Sequence, residues 1–270
     1  MPELPEVETS RRGIEPWLTD TTITKVVVRD RRLRWPIAKG VERRLRNQVI
    51  HSVERRAKYL LINTGNGTAI LHLGMTGSVF IVDRNTPAGV HDHFDFELDS
   101  GKSLRFRDPR RFGSFHWSND PFAHPLLTNL GPEPLGDDFD GEYLWRTSRG
   151  RRVSVKQFIM NAKVVVGVGN IYASESLFLA GINPKRAAGR ISRHRYDALA
   201  EAIQDILSRA IKAGGTTLRD FYGGDGEPGY FKQQLEVYDR EGEHCRQCNT
   251  VIRAFVQGQR STYYCKSCQT

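Results

Sequence analysis

The chain has 270 residues, and its 40 Lys and Arg outnumber 31 Asp and Glu to leave a formal net charge of +9. That length suits one large or two modest domains. No apolar run approaches the ~20 residues of a membrane span, and no basic flank with an apolar core opens the chain, so a cytoplasmic protein with no membrane partner is expected.

Residues Met1-Pro2-Glu3-Leu4-Pro5-Glu6-Val7-Glu8 open the chain. Removal of Met1 would leave Pro2 as a secondary amine, and an α-amino group titrates near ~7.7–8, so much of it is an unprotonated nucleophile at neutral pH. Glu3, one residue away, could move a proton. The same octet also reads as a helix start, with Pro5 at the first helical position and acidic residues in the first turn. That second reading leaves Pro2-Glu3 unexplained, and the octet alone does not choose between them.

An opening helix over about 5–18 is followed by strand-like segments from Thr22 to Trp117. Thr22–Val28 is β-branched, and Lys58–Asn63 leads through a Gly65-Asn66-Gly67 turn into Thr68–Leu73 as a hairpin partner. His93–Leu98 alternates with period two, turns at Asp99-Ser100-Gly101 and continues over 103–107. Many short strands with glycine turns predict a β-sandwich or barrel. Arginine recurs in clusters, at Arg29 to Arg34, Arg43 to Arg46, Arg107 to Arg111 and Arg149 to Arg152. Guanidinium forks match phosphate geometry, so a nucleic-acid partner is favoured over a merely solvated basic surface.

Two loops stand out. Leu73-Gly74-Met75-Thr76-Gly77 sets a thioether between glycines, and Asp108-Pro109-Arg110-Arg111-Phe112-Gly113 sets cations beside an aromatic ring. Apolar wedges beside arginines suit entry into a base stack, although a single Met or Phe is more often core. Lys58 by itself reads as a surface lysine.

Proline, glycine and acid over 129–138 mark a linker. Beyond it, Leu199, Ile203, Ile206, Leu207, Ala210 and Ile211 fall on one helix face that runs into Gly214-Gly215. Gly167-Val168-Gly169-Asn170 lacks the third glycine of a dinucleotide fingerprint and reads better as a tight turn with Asn170 at a helix start, a ready phosphate site.

All four cysteines fall in the tail, as Cys245-x2-Cys248-x16-Cys265-x2-Cys268. A chain with none in its first 244 residues is not a disulfide-stapled secreted protein, and this spacing is that of a zinc ribbon. Four thiolates fill a tetrahedral zinc, so the metal is structural and the chemistry lies elsewhere. Gln259-Arg260-Ser261-Thr262 is expected at the hairpin tip, where Arg260 could reach a phosphate or simply be solvated.

The opening octet, His72–Gly77, Asp108–Gly113, Val166–Glu175 and the ribbon together closely resemble the bacterial formamidopyrimidine-DNA glycosylases, in the family's order and across essentially the whole chain. Leu4, where the related endonuclease VIII branch typically has glycine, favours the purine branch. Asn161-Ala162, where relatives often carry an acidic or amide pair, is a departure outside the catalytic positions.

The resemblance implies a bifunctional DNA glycosylase/AP lyase for oxidised purines such as 8-oxoguanine and formamidopyrimidines. The fold expected is α+β: an N-terminal β-sandwich catalytic domain with its opening helix (1–130), a linker (131–150), a helix-two-turn-helix DNA-binding domain (151–236) and the ribbon (237–270). In this mapping Pro2 is the nucleophile, Glu3 the general acid, Lys58 a proton donor in β-elimination and Arg260 a phosphate ligand linked to δ-elimination. His91, Arg110, Arg151, Lys156 and Asn170 contact DNA phosphates. Met75, Arg110 and Phe112 fill the gap left by the extruded base, and a loop carrying Tyr222, Gly224, Gly226 and Tyr230 caps it. One structural zinc on Cys245, Cys248, Cys265 and Cys268, no organic cofactor, a monomer and damaged duplex DNA as partner complete the expectation. The alternatives are an oxidised-pyrimidine glycosylase and a non-enzymatic zinc-ribbon DNA-binding protein.

Overall fold

In the computed structural model, which describes residues 2–216 and 231–270, Glu3 caps helix α1 (Leu4–Leu18). Glu6 completes a capping box, its Oε2 accepting the Glu3 N–H at 2.8 Å. Because Glu3 is the cap, Pro5 takes the second helical position rather than the first, where its missing N–H is still one of the four without an intrahelical partner.

Two antiparallel four-stranded sheets follow, forming with α1 one unit of residues 2–128 and 213–216. One sheet has the order β1 (Ile23–Val28), β6 (Asp92–Leu98), β7 (Lys102–Arg107), β5 (Ser78–Asp83). The other runs β2 (Ile50–Arg56), β3 (Tyr59–Thr64), β4 (Gly67–His72), β8 (Ser114–Ser118), and the short helix α2 (Val41–Leu45) packs on β1. Phe94, Phe96, Phe106 and Phe115 meet in the core between the sheets, Phe94 stacking on Phe106 at 4.9 Å and on Phe115 at 5.0 Å. Each such buried ring contributes about 2–3 kcal/mol of transfer energy. Period-two alternation predicts polar residues outside, and on β6 and β7 these are themselves buried. Arg105 and Asp95 are 2 % and 3 % exposed and pair at 2.9 Å, with Arg29 adding a second cation at 2.6 Å.

The expected Gly65–Gly67 turn is a two-residue Gly65-Asn66 loop, since Thr64 already pairs with Gly67. Lys58, expected at the start of a strand, instead occupies the two-residue turn Ala57-Lys58 between β2 and β3, with Ala57 in the left-handed region at φ 55°.

Residues 129–212 and 231–270 form a second unit. Its helices are α3 (Gly141–Ser148), α4 (Val155–Ile159), α5 (Asn170–Leu179) and α6 (Arg193–Lys212). Helix α3 lies inside the segment expected to be linker. Asp140 caps it by accepting the Tyr143 N–H at 2.6 Å, and it packs on α6 so closely at Gly141 that a Cβ there would sit 2.2 Å from Asp197 Oδ1. Helix α3 therefore belongs to the second unit. On α6 the expected apolar face is buried, except that Ile211 is half-exposed. The ribbon hairpin, β9 (Arg253–Gln257) with β10 (Arg260–Tyr264), shares a core with α5 through Phe178, Val237, Cys245, Ile252 and Cys265. Among the described residues no helix is long and apolar enough to cross a membrane.

Candidate active site and nucleic-acid-binding residues

Pro2 and Glu3 are both buried at the mouth of α1, Glu3 at 2 % exposure. The helix start fixes the Glu3 backbone, because the Glu6 carboxylate accepts the Glu3 N–H through one oxygen and the Thr216 N–H, at 2.7 Å, through the other. Glu6 thus joins the first residues of the chain to the point where the expected capping loop begins. Gly214 and Gly215 stand at φ 74° and 84° just before Thr216, and a Cβ on Gly215 would come within 3.1 Å of Glu6. The loop residues Tyr222, Gly224, Gly226 and Tyr230 lie outside the described residues.

Two residues beyond Glu6 along α1, Glu8 binds Arg11, Arg12 and, at 3.1 Å, Arg55 on β2. Those cations hold the Glu8 carboxyl below the usual carboxylate range against its own burial. The Arg55 link ties the end of β2, and hence the Ala57-Lys58 turn, to the N-terminal half of α1. Lys58 is half-buried. Its charge, added to burial, helps lower His72 to about 4, so that imidazole is neutral and its Nδ1 accepts the Gly74 N–H at 2.9 Å.

His72 leads directly into the Met75 loop. Met75 is 37 % exposed and Phe112 43 %, so neither belongs to the core. Arg110 is exposed and lays its guanidinium over the Phe112 ring, 4.7 Å from the centroid. The neighbouring Arg111 is different: it stands at φ 58° and pairs with Asp30 at 2.8 Å. His91 is exposed beside this loop, its carbonyl accepting the Asp108 N–H at 3.0 Å.

In the second unit Asn170 is the first residue of α5, with Gly169 as the cap and Gly167 at φ 80° turning the chain into it. The Lys156 ammonium donates to Asn170 Oδ1 at 2.7 Å, Thr262 Oγ1 at 2.8 Å and the Ser261 carbonyl at 3.1 Å, while Asn170 Nδ2 donates to that carbonyl at 3.0 Å. These bonds place exposed Arg260, next in the chain to Ser261, beside Asn170. Lys156 was expected on a phosphate. At 1 % exposure, its ammonium is surrounded by these protein acceptors on Asn170 and β10. Arg151 is exposed between α3 and α4, outside this cluster, and its side chain makes no hydrogen bond among the described residues.

The hairpin tip is Gly258-Gln259, both left-handed at φ 54° and 59°, so Arg260 is the first residue of β10 rather than part of the turn. The four cysteine sulfurs lie within 4.8 Å of one another, with Cys245–Cys268 at 3.9 Å and Cys248–Cys265 at 3.4 Å. Bonds of ~2.3 Å to a tetrahedral zinc require sulfurs about 3.8 Å apart. A disulfide would need ~2.05 Å. The cluster fits one structural zinc.

Sequence reasoning read Glu6 only as a first-turn acid of the helix and did not single out the buried carboxylates Asp108 and Glu175. Glu175 lies at 0 % exposure on α5, where its Oε2 accepts the Glu236 N–H at 2.8 Å and its Oε1 those of Val237 and Tyr238 at 3.0 and 2.8 Å. A lone charge within Ile171-Tyr172-Ala173-Ser174-Glu175-Ser176-Leu177-Phe178 was the available signal. Tyr238, so placed, stands 3.5 Å from Asn170 Nδ2 and edge-on to Tyr263.

Three family models match the chain: the formamidopyrimidine-DNA glycosylase N-terminal domain over residues 1–115, the H2TH domain of that enzyme over 130–222, and a zinc finger found in FPG and IleRS over 242–270. A formamidopyrimidine-DNA glycosylase of Stutzerimonas stutzeri is 61 % identical over 269 residues, covering 100 % of both chains. One from Pseudomonas fluorescens is 59 % identical over 270 residues, again covering 100 % of both. Among solved structures, a Lactococcus lactis FPG mutant bound to Fapy-dG-containing DNA superimposes with a TM-score of 0.92 at 30 % identity over 100 % of both chains. MutM (FPG) of Thermus thermophilus does so with 0.89 at 34 % identity, over 99 % of this chain and 98 % of the other.

Proposed function

The chain belongs to the formamidopyrimidine-DNA glycosylase family, and we propose that it excises oxidised purines from duplex DNA through a Pro2 imine and then cleaves the strand. The observation that carries the reading is the Pro2-Glu3 pair, buried at the capped start of α1.

The target sugar carbon is inaccessible in a stacked duplex, so the nucleotide is first flipped out, at a cost of a few kcal/mol. Met75, Arg110 and Phe112 fill the vacated space, and His91, Arg151, Asn170 and Arg260 hold phosphates, with Lys156 supporting Asn170. Once Met1 is removed, the Pro2 nitrogen attacks C1′ and the bond to the damaged base breaks. Glu3 protonates the opening sugar oxygen, leaving an iminium between Pro2 and C1′. That cation withdraws electrons and acidifies the C2′ proton, so the 3′ phosphate and then the 5′ phosphate leave, with Lys58 and Arg260 serving the elimination steps. A monomer suffices, because one chain supplies every group named. The substrate places the enzyme with the chromosome in the cytoplasm.

Borohydride reduction of enzyme with an 8-oxoguanine:C duplex should trap a covalent adduct at residue 2. Enzyme that retains Met1 should neither cross-link nor excise, and full activity with Met1 in place would overturn the Pro2 mechanism. A panel of lesions separates this reading from the oxidised-pyrimidine branch, which would excise thymine glycol in preference to 8-oxoguanine.

A further inference from the structure

We propose that Asp108 is a positioning residue that locks the Met75 loop to the Arg110–Phe112 loop, so that the three gap-filling side chains enter the base stack as one body. The inference rests on the gap-filling role given to those residues above and adds what makes them act together.

The Asp108 carboxylate is fully buried, at 0 % exposure. Its Oδ1 accepts the Thr76 hydroxyl at 2.6 Å and the Arg110 N–H at 3.3 Å, and its Oδ2 accepts the Gly113 N–H at 2.8 Å. Thr76 follows Met75 in one loop, whereas Arg110 and Gly113 bracket the other. The Thr76 Oγ1 also accepts the Arg110 N–H, at 3.3 Å, so a single hydroxyl bridges the two loops while donating to Asp108. The backbone of Asp108 is fixed as well: its N–H reaches the His91 carbonyl, and its carbonyl lies 2.7 Å from Nε2 of buried His93.

Glycine contacts complete the lock. Gly74 stands at φ +68°, and a Cβ there would lie 2.4 Å from Gly113 N and from the Phe112 carbonyl carbon. The loops therefore touch backbone to backbone just below the exposed Met75 and Phe112. The joint between the loops is polar, with the Phe106 ring packed beneath Gly113, and it leaves all three tips exposed. Three donors converge on one carboxylate, which has lone pairs for about four, whereas an amide would present N–H to at least one of them. Filling a gap with two independently moving loops would lose the entropy of each on entry. A joined pair loses it once.

Double-mutant cycles read this coupling directly. Met75→Ala and Phe112→Ala are made singly and together, first with Thr76 intact and then with Thr76→Val, which removes only the bridging hydroxyl. Single-turnover excision of 8-oxoguanine is followed on an intact duplex and compared with cleavage of an abasic site opposite a gap. With Thr76 intact the two losses should be non-additive, the double variant being little worse than the worse single. With Thr76→Val they should become additive. Thr76→Val alone should slow excision from intact duplex about tenfold, as expected for hydrogen bonds to a charged group, with little effect on the gapped substrate. Thr76→Ser, which keeps the hydroxyl, should restore both the rate and the non-additivity. Additive losses with Thr76 intact would overturn the coupling while leaving the gap-filling reading standing. Normal excision by Met75→Ala would sink the gap-filling reading, and the coupling with it. Asp108→Asn, where it folds, should reproduce Thr76→Val, and wild-type excision by that variant would also refute the proposal.

Discussion

Removing the Glu175 carboxylate tests whether buried acceptors hold the second unit together. Glu175 is inaccessible on α5 and accepts three consecutive backbone N–H groups from 236–238 at 2.8–3.0 Å. Burial and the nearby Glu236 charge push its carboxyl above the ordinary range, and the three donors pull it back. In Glu175→Ala three buried donors lose their acceptor, each at about 1–3 kcal/mol. Water entering the space offsets part of that, so a net loss of about 3–5 kcal/mol is expected. Glu175→Gln keeps one acceptor oxygen but turns an NH2 toward the remaining donors, and about half that loss is expected. Urea unfolding of the zinc-loaded protein reads both values. Because Val237 packs in the ribbon core and Tyr238 reaches Asn170, Glu175→Gln should also weaken duplex binding while zinc content stays at one per chain. If Glu175→Ala unfolds within about 1 kcal/mol of the parent, the three bonds do not anchor this segment and the reasoning fails.

Three further outcomes follow from the same geometry. Cys265→Ser should release zinc, unfold the β9–β10 hairpin and weaken DNA binding through Arg260, since ribbon folding is driven by metal; retained zinc with normal affinity would contradict this. Glu3→Gln should abolish base excision yet leave part of the cleavage of a pre-formed abasic site, whereas Lys58→Ala should slow excision of 8-oxoguanine more than abasic-site cleavage; equal losses in both steps for both variants would mean the roles are misassigned. His72 titrates near 4 in the folded chain against about 6.5 unfolded, so between these values the unfolded state binds the extra proton and stability falls as pH drops. His72→Asn, which keeps an acceptor near Nδ1, should flatten that slope, while His116 and His124, also depressed by burial, leave a residual one. An unchanged slope would show that His72 is not buried as neutral imidazole.

The sandwich strands, α6 and the ribbon were legible because each repeats a period: Phe94-x-Phe96 alternates, Leu199 to Ala210 recurs every three to four residues, and the cysteines keep ligand spacing. Helix α3 was hidden by its neighbours, since the proline and glycine of 129–138 gave the whole segment a loop's composition and eight residues carry too little pattern to oppose it. Pro2-Glu3 drew attention because the helix-start reading stopped at Pro5, whereas in the fold that helix start extends back to Glu3 as its cap. Lys156 could not be told from a surface cation, for nothing local signals that Thr262, more than a hundred residues away, will accept a hydrogen bond from it. Arg110 and Arg111 were likewise indistinguishable until Asp30 took one of them.

Glu6, Asp108 and Glu175 share a logic that explains why the positioning groups are polar. Each is at most 2 % exposed, and each accepts backbone N–H groups, from Thr216, from Arg110 and Gly113, and from 236–238 respectively. The segments they hold either carry side chains proposed to face DNA or lead into such segments. The Met75 and Phe112 loops keep their large apolar side chains exposed rather than buried beneath themselves. Their backbone N–H groups, with the Thr76 hydroxyl, are then what they offer inward, and an unpaired N–H would cost about 1–3 kcal/mol. A carboxylate rising from a rigid helix or strand end satisfies two or three at once and, unlike apolar packing, fixes direction as well as distance. The consequence is specific: Leu in place of any of these carboxylates would fill the volume yet strand the donors. Such variants should lose loop order before they lose the core of the unit, visible as faster amide exchange at Thr216, Gly113 and 236–238 while α6 and β3 remain protected.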